Sequence, residues 1–188
     1  MTVHALMGRH VFLEPISTQH GDRLFEAAQD ERIWEFNIVS AYGPAFEAWF
    51  ESALNTPNRK SFAIVHSGRI VGSSSFIDLS PLHRRTEIGH TWLHPSVWRS
   101  VVNVEAKWLM LRDAFERMKL HRVSFNVDAI NQRSRKAVEK LGAVQEGTLR
   151  RHAITFTGRI RDTVVYSILA DEWPHVREQL EKRIQSPT

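Results

Sequence analysis

His94-Pro95-Ser96-Val97-Trp98-Arg99-Ser100-Val101-Val102-Asn103-Val104-Glu105-Ala106-Lys107 lies where a strand should end and a helix begin. The strand is Thr86 to Leu93, and Pro95 closes it. Ser100 suits the N-cap, its hydroxyl free to accept from an orphan backbone N–H. A helix then follows to about Lys119, with Val104, Trp108, Leu111, Phe115 and Met118 at three- and four-residue steps. A strand, a loop and a helix in this order leave several N–H groups pointing into one opening, which suits phosphate. An ordinary strand–helix joint has the same pattern, so the stretch alone does not fix a function.

Outward from it, the chain of 188 residues reads as one domain over 1–188, with its core at about 10–173. It contains no cysteine, which excludes disulfides, thiolate metal sites and a cysteine nucleophile. No signal-peptide pattern or membrane-length apolar run is present, so a cytoplasmic protein without a membrane partner is expected. The formal net charge is +4. That mild excess of base suits an anionic ligand, and it is also ordinary for a solvated surface.

Residues 1–8 read as a loose leader and His10–Pro15 as a short strand. A helix follows Ser17, and another follows the turn Tyr42-Gly43-Pro44. Phe46, Trp49 and Phe50 on that second helix are either core or the wall of a substrate groove. Ser61–His66 and Arg69–Asp78 form a hairpin around Ser67-Gly68. Thr86–Leu93 is the next strand, and simple alternation puts Glu87, Gly89 and Thr91 on one face and Ile88, His90 and Trp92 on the other. Glu87 is either a general base beside the anion-binding loop or an ion-pair partner of Arg85. His121–Asp128 is a further strand, Asn131 to Leu141 a helix ended by Gly142, and residues 143–170 a hairpin around Thr157-Gly158. A last amphipathic helix starts near Trp173. Strands in a meander, then strands alternating with helices, give an α/β domain with a mixed, largely antiparallel sheet flanked by helices.

Four ordered signatures carry a family resemblance: Thr86-Glu87-Ile88-Gly89-His90-Thr91-Trp92-Leu93 before Pro95; Glu105-Ala106; Asn131-x-x-Ser134 before Leu141-Gly142-Ala143 and Glu146-Gly147; and Asp162-x-x-x-Tyr166. Together the chain resembles the GCN5-related N-acetyltransferases, most closely the branch with the ribosomal-protein N-terminal acetyltransferases. The resemblance implies an acetyl-CoA-dependent enzyme, with a protein N-terminus or a small molecule as the amine acceptor. It implies CoA contacts from Leu93, His94, Trp98, Arg99, Ser100, Val101, Val102, Asn103, Val104, Asn131 and Ser134. The oxyanion donors would be backbone N–H groups near His94, and the arm of CoA would bond Asn131. Ser134 would protonate the departing thiolate and Glu87 would take the amine proton, with His152 as a second candidate base. Arg133, Arg135 and Lys136 are candidates for the 3′-phosphate.

One feature departs from the family. Its pyrophosphate loop carries glycine or another small residue where this chain has Val101 and Asn103. Glycine allows dihedrals that a β-branched residue resists, so CoA is expected to bind through the helix N–H groups with altered loop geometry. His90-x-x-x-His94 has a metal-ligand spacing only on a helix. On a strand it spans roughly 13 Å, so no metal is expected. Two other functions stay open: an acyl-CoA-binding protein without catalysis, and nucleic-acid binding through Arg84-Arg85 and Arg150-Arg151. A homodimer is compatible with the sequence.

Overall fold

A computed structural model describes residues 4–185. Residues 1–3 of the expected leader and the last three of the polar tail lie outside the described residues. The strands are β1 (Leu6–Met7), β2 (Val11–Pro15), β3 (Lys60–His66), β4 (Arg69–Ser80), β5 (Arg85–Leu93), β6 (Arg122–Asp128), β7 (Val144–Ile154) and β8 (Ile160–Leu169). The helices are α1 (Gly21–Ala28), α2 (Phe46–Asn55), α3 (Val101–Arg112), α4 (Gln132–Glu139) and α5 (Trp173–Gln185). Part of the leader is therefore a strand: Leu6 and Met7 pair with Leu13 and Phe12.

The eight strands form one sheet in the order β1-β2-β3-β4-β5-β6-β8-β7, antiparallel at every junction except β5 with β6. Both faces are covered, and alternation along β3 shows it. Phe62 and Ile64 join the core under α3 and α5, while Ala63 and Val65 join the core under α1 and α2. Phe46 and Trp49 belong to the second core, not to an open groove, with Phe50 packed partly buried against it.

The parallel junction shapes the rest. β5 and β6 share only the pairs Arg85–Arg122, Thr86–Val123 and Glu87–Ser124. Beyond Glu87 the two strands pair no further, so the sheet opens there and both strand edges are left without a sheet partner. Just beyond the opening, β5 carries a bulge: Ser75 opposes Gly89 and Ser73 opposes Trp92, so two steps on β4 match three on β5. His90 takes φ +47° to absorb the extra residue. A bulge bends its strand and increases local twist, which turns β5 away from β6.

The bulge corrects the simple alternation. Ile88 lies in the core under α3, yet Trp92 lies in the core under α1 and α2. Thr91 has likewise changed sides from Glu87, since it meets Lys107 of α3. α3 differs from expectation too. Its regular part ends at Arg112, and a π-helical turn over Asp113–Arg117 follows. Its buried face carries Val102, Glu105, Ala106, Lys107, Leu109, Met110 and Leu111, while Val104 and Trp108 are only partly buried. The helix is covered by the sheet on one side and α5 on the other, so no single stripe suffices.

Glu105 locks α3 to the edge of the sheet. It is 1% exposed, and its carboxylate accepts from the backbone N–H of Arg9 and of His10, the latter at 2.9 Å. Glu105→Ala strands both donors, so it should cost about 2–4 kcal/mol of unfolding free energy. Glu105→Gln keeps one acceptor oxygen and should cost less. Urea denaturation of both variants checks the order.

Candidate functional site

The opening between β5 and β6 is flanked by two helix N-termini. On the β5 side, His94 leads through a 3-10 turn at Pro95–Val97 to α3. Ser100 is the N-cap, as expected. Its Oγ accepts from the Val102 N–H at 3.2 Å and donates to the Val97 carbonyl at 2.7 Å. Val101 is the first residue of α3, followed by Asn103 and Val104 in its first turn. Helical dihedrals suit valine, so the family's glycine slot demands no glycine here. The loop's left-handed residue is instead Arg99, exposed at φ +65°. The remaining first-turn N–H groups have no intrahelical acceptor and carry the positive end of the helix dipole.

Leu93 packs in the core, and its carbonyl accepts from the Trp98 indole at 2.8 Å. The His94 N–H donates to the Val71 carbonyl at 2.8 Å. That donor is committed to β4 and is not free for an oxyanion.

On the β6 side, Asn131 caps α4, its Oδ1 accepting from the Ser134 N–H at 2.9 Å. Ser134 is therefore held by its backbone, one turn into the helix. The Arg133 guanidinium stacks over the Trp98 ring, 3.9 Å from its centroid, and joins the two helix N-termini. Arg135 is occupied elsewhere, by the Tyr166 hydroxyl at 3.1 Å and the Ala129 carbonyl at 3.4 Å. Lys136 is exposed on α4.

Glu87 marks the point where the strands part. It faces away from α3, since its neighbours Thr86 and Ile88 are buried and Ile88 lies in the core under that helix. Its carboxylate accepts from Asn126 Nδ2 of β6 at 2.7 Å. Gly89 makes room for it: a Cβ there would lie 2.8 Å from Glu87 Oε1. Burial, then the negative charge of Asp78, push the carboxyl up to about 7, against the opposing pull of Arg161 and the Asn126 hydrogen bond. Arg85 is exposed, and Glu87 is not its ion-pair partner. His152 is exposed on β7, its Nδ1 3.1 Å from Thr163 Oγ1 of β8.

Sequence reasoning missed several groups here. Lys107 is 5% exposed, and its Nζ donates to Ser74 Oγ at 3.0 Å and to Thr91 Oγ1. Burial lowers this amine to about 7. It ties α3 to the bulge. The signal was a lone lysine between Ala106 and Trp108 in an apolar run. Asn126 and Arg161 carry no local motif; only pairing register brings them to this face, and Arg59, just before β3, reaches it through Ser75. Among the described residues no group of three or more His, Asp or Glu is placed to hold a metal.

A family model described as the acetyltransferase (GNAT) domain matches residues 10–144. A protein of Bacillus subtilis (strain 168), YdaF, provisionally named a ribosomal N-acetyltransferase, is 29% identical over 177 residues, covering 89% of this chain and 95% of its own. A structure from T. thermophilus, provisionally titled an acetyltransferase, superposes with TM-score 0.90 at 39% identity, covering 97% of this chain and 98% of that one. A GCN5-related N-acetyltransferase from Brucella melitensis gives TM-score 0.90 at 29% identity, covering 97% and 86%.

The raised Glu87 carboxyl makes a stability prediction. A group whose folded pKa is raised binds its proton more tightly when folded, so its contribution is present below the unfolded value near 4.5 and is lost as pH rises to about 7. Glu87→Gln has no such loss. Its stability relative to the native chain should be greater at pH 8 than at pH 4.5, by urea denaturation at both pH values. An equal difference at both would contradict the raised carboxyl.

Proposed function

The chain belongs to the GNAT acetyltransferase family, and from that premise we propose that it moves the acetyl group of acetyl-CoA to a primary amine by direct attack. The observation that carries this is the opening of the sheet at Glu87 between two helix N-termini, with a raised carboxyl at its apex. CoA lies in the opening, its pyrophosphate on the first-turn N–H groups of α3 left free by the Ser100 cap, those of Val101 and Asn103, beside Arg99 and Ser100. The pantetheine amides bond the strand edges left unpaired by β5 and β6, and Asn131 lies alongside.

The reaction needs positioning, an acceptor for one proton and a donor for another. Glu87, with its carboxyl near neutrality, takes a proton from the acceptor ammonium directly or through water. The amine nitrogen then bonds to the thioester carbon and sheds its second proton to solvent, and the C–S bond breaks as the tetrahedral oxyanion collapses; Glu87 passes its own proton to solvent before the next turnover. Ser134 gives its hydroxyl proton to the departing CoA thiolate, and the hydroxyl recovers a proton from solvent. Backbone N–H groups on the unpaired β5 edge stabilise the oxyanion in place of His94. No covalent enzyme intermediate is required, in keeping with a chain that has no cysteine.

The acceptor is a primary amine, on a protein N-terminus or a small molecule. Release of free CoA across a panel of amines tests transfer directly. Ser134→Ala should lower kcat by about 10²-fold with little change in the acetyl-CoA KM. An unchanged kcat would leave Ser134 as a residue of the α4 cap alone. In kcat/KM for the amine, Glu87→Gln should remove the acid limb near pH 7. An acid limb that persists would place the base elsewhere, with His152 next to be tested.

A further inference from the structure

We propose that His90 receives the acceptor amine: a ring nitrogen of its imidazole accepts a hydrogen bond from the amine N–H and aims the amine lone pair at the thioester. The inference rests on the acetyl-transfer reading above and adds the residue that holds the nucleophile. His90 is the residue inserted at the β5 bulge. β5 lies in the middle of the sheet, between β4 and β6. From Thr86 to Leu93 its residues are buried or half-buried with one exception: His90 is exposed. The cover over the sheet is therefore broken at this residue. Neither nitrogen of the ring has a hydrogen-bond partner among the described residues.

The ring lies on the face that carries the Glu87 carboxylate. Ile88 packs in the core under α3 and Thr91 meets Lys107 of that helix, while Trp92 packs on the opposite side. Arg59 shows which way His90 turns. Its Nε donates to Ser75 Oγ at 3.2 Å. Ser75 faces away from α3, because its neighbours Phe76 and Ser74 face toward it, one in the core and one on Lys107. The imidazole feels the charge of Arg59, so the ring lies toward that side. Ser75 is also the cross-strand partner of Gly89, and Glu87 Oε1 lies 2.8 Å from where a Gly89 Cβ would be. The tip of the carboxylate thus sits one residue from the base of His90. Its other oxygen, Oε2, is held by Asn126, which leaves Oε1 on the His90 side.

The chemistry suits a neutral imidazole. Burial, then the Arg59 charge, lower the ring to about 4. Its surface is open all the same, as for a side chain on the wall of a cleft, with protein around it and solvent in front. A protonated ring has two donors and no acceptor, whereas a neutral ring keeps one acceptor nitrogen. That nitrogen takes a hydrogen bond from the amine once Glu87 has removed the ammonium proton. No proton passes to His90; the ring fixes the direction of attack. The backbone agrees with such a role. Glycine or asparagine holds a left-handed conformation more easily than histidine does, and strain of this kind persists where it places a side chain for use.

Substitutions that keep the bulge separate the side chain from the backbone. His90→Gly and His90→Asn both tolerate the left-handed conformation; the first removes the acceptor and the second keeps a shorter one. The amine used is the one in the panel above that releases CoA fastest. His90→Gly should lower its kcat/KM about tenfold, the contribution of one hydrogen bond made in the transition state. The acetyl-CoA KM should stay within about twofold, and the acid limb near pH 7 should remain because Glu87 is intact. His90→Asn should recover part of the loss. On the native chain, the His90 ring resonances in NMR spectra should move when the amine is added to the CoA complex and should show a neutral ring from pH 6 upward. Amine kcat/KM within about twofold of native in folded His90→Gly, an equal loss in acetyl-CoA affinity, disappearance of the acid limb, or ring resonances indifferent to saturating amine would overturn the proposal. The native spectra decide even if a variant fails to fold. No release of CoA with any amine overturns the acetyl-transfer reading and this inference with it. Release undiminished in His90→Gly overturns this inference alone.

Discussion

The short parallel junction between β5 and β6 is the constraint on which the rest of the molecule depends. Three residue pairs hold the two halves of the sheet together. Ordinary parallel strands run on in register and bury their edges against each other. Here the extra residue at His90 twists β5 out of line, and its backbone groups beyond Glu87 face a gap. Unpaired backbone inside a protein demands a partner, and under the proposed function the amides of the pantetheine arm would supply one in the manner of an added strand.

Holding such a gap open requires anchoring on both sides. Glu105 and Lys107, on the buried face of α3, do this in opposite directions. Glu105 takes two N–H donors from the β1–β2 turn, and Lys107 gives hydrogen bonds to hydroxyls of β4 and of the bulge. The N-terminus of α3 is thereby fixed relative to the bent strand. α4 is fixed by Arg135, which spans to Tyr166 of β8. The Arg133–Trp98 stack spans the two helix N-termini. Charge is divided in the same way. The helix N-termini present positive potential at the ends of α3 and α4, while the face away from α3 carries Glu87 with Arg161 in range of its charge.

Much of this was legible in the sequence, because local chemistry dictates it. Ser100 and Asn131 are caps by composition and spacing, Ser67-Gly68 is a turn, and the ordered signatures pointed to the family that the domain match establishes. What stayed hidden depends on partners distant in the chain. The bulge at His90 reverses the side on which Thr91 and Trp92 lie, and no local pattern announces a single inserted residue. The burial of α3 on more than one side required α5 to be in place. The availability of the His94 N–H could be judged only once β4 was beside it. Val101, which looked like a defect beside the family's glycine, is the first residue of a helix, and Arg99 takes the left-handed turn.

The central claim is that the opening between β5 and β6 is a CoA site built from helix N–H groups without the family's glycine. Calorimetric titration of the full chain with CoA and with dephospho-CoA, at low and moderate salt, tests it most directly. The account predicts binding in the micromolar range, about −8 kcal/mol, weakened by salt and largely retained by dephospho-CoA because the pyrophosphate supplies the main contact. No heat at millimolar CoA, with the protein shown by its circular dichroism to be folded, would contradict it.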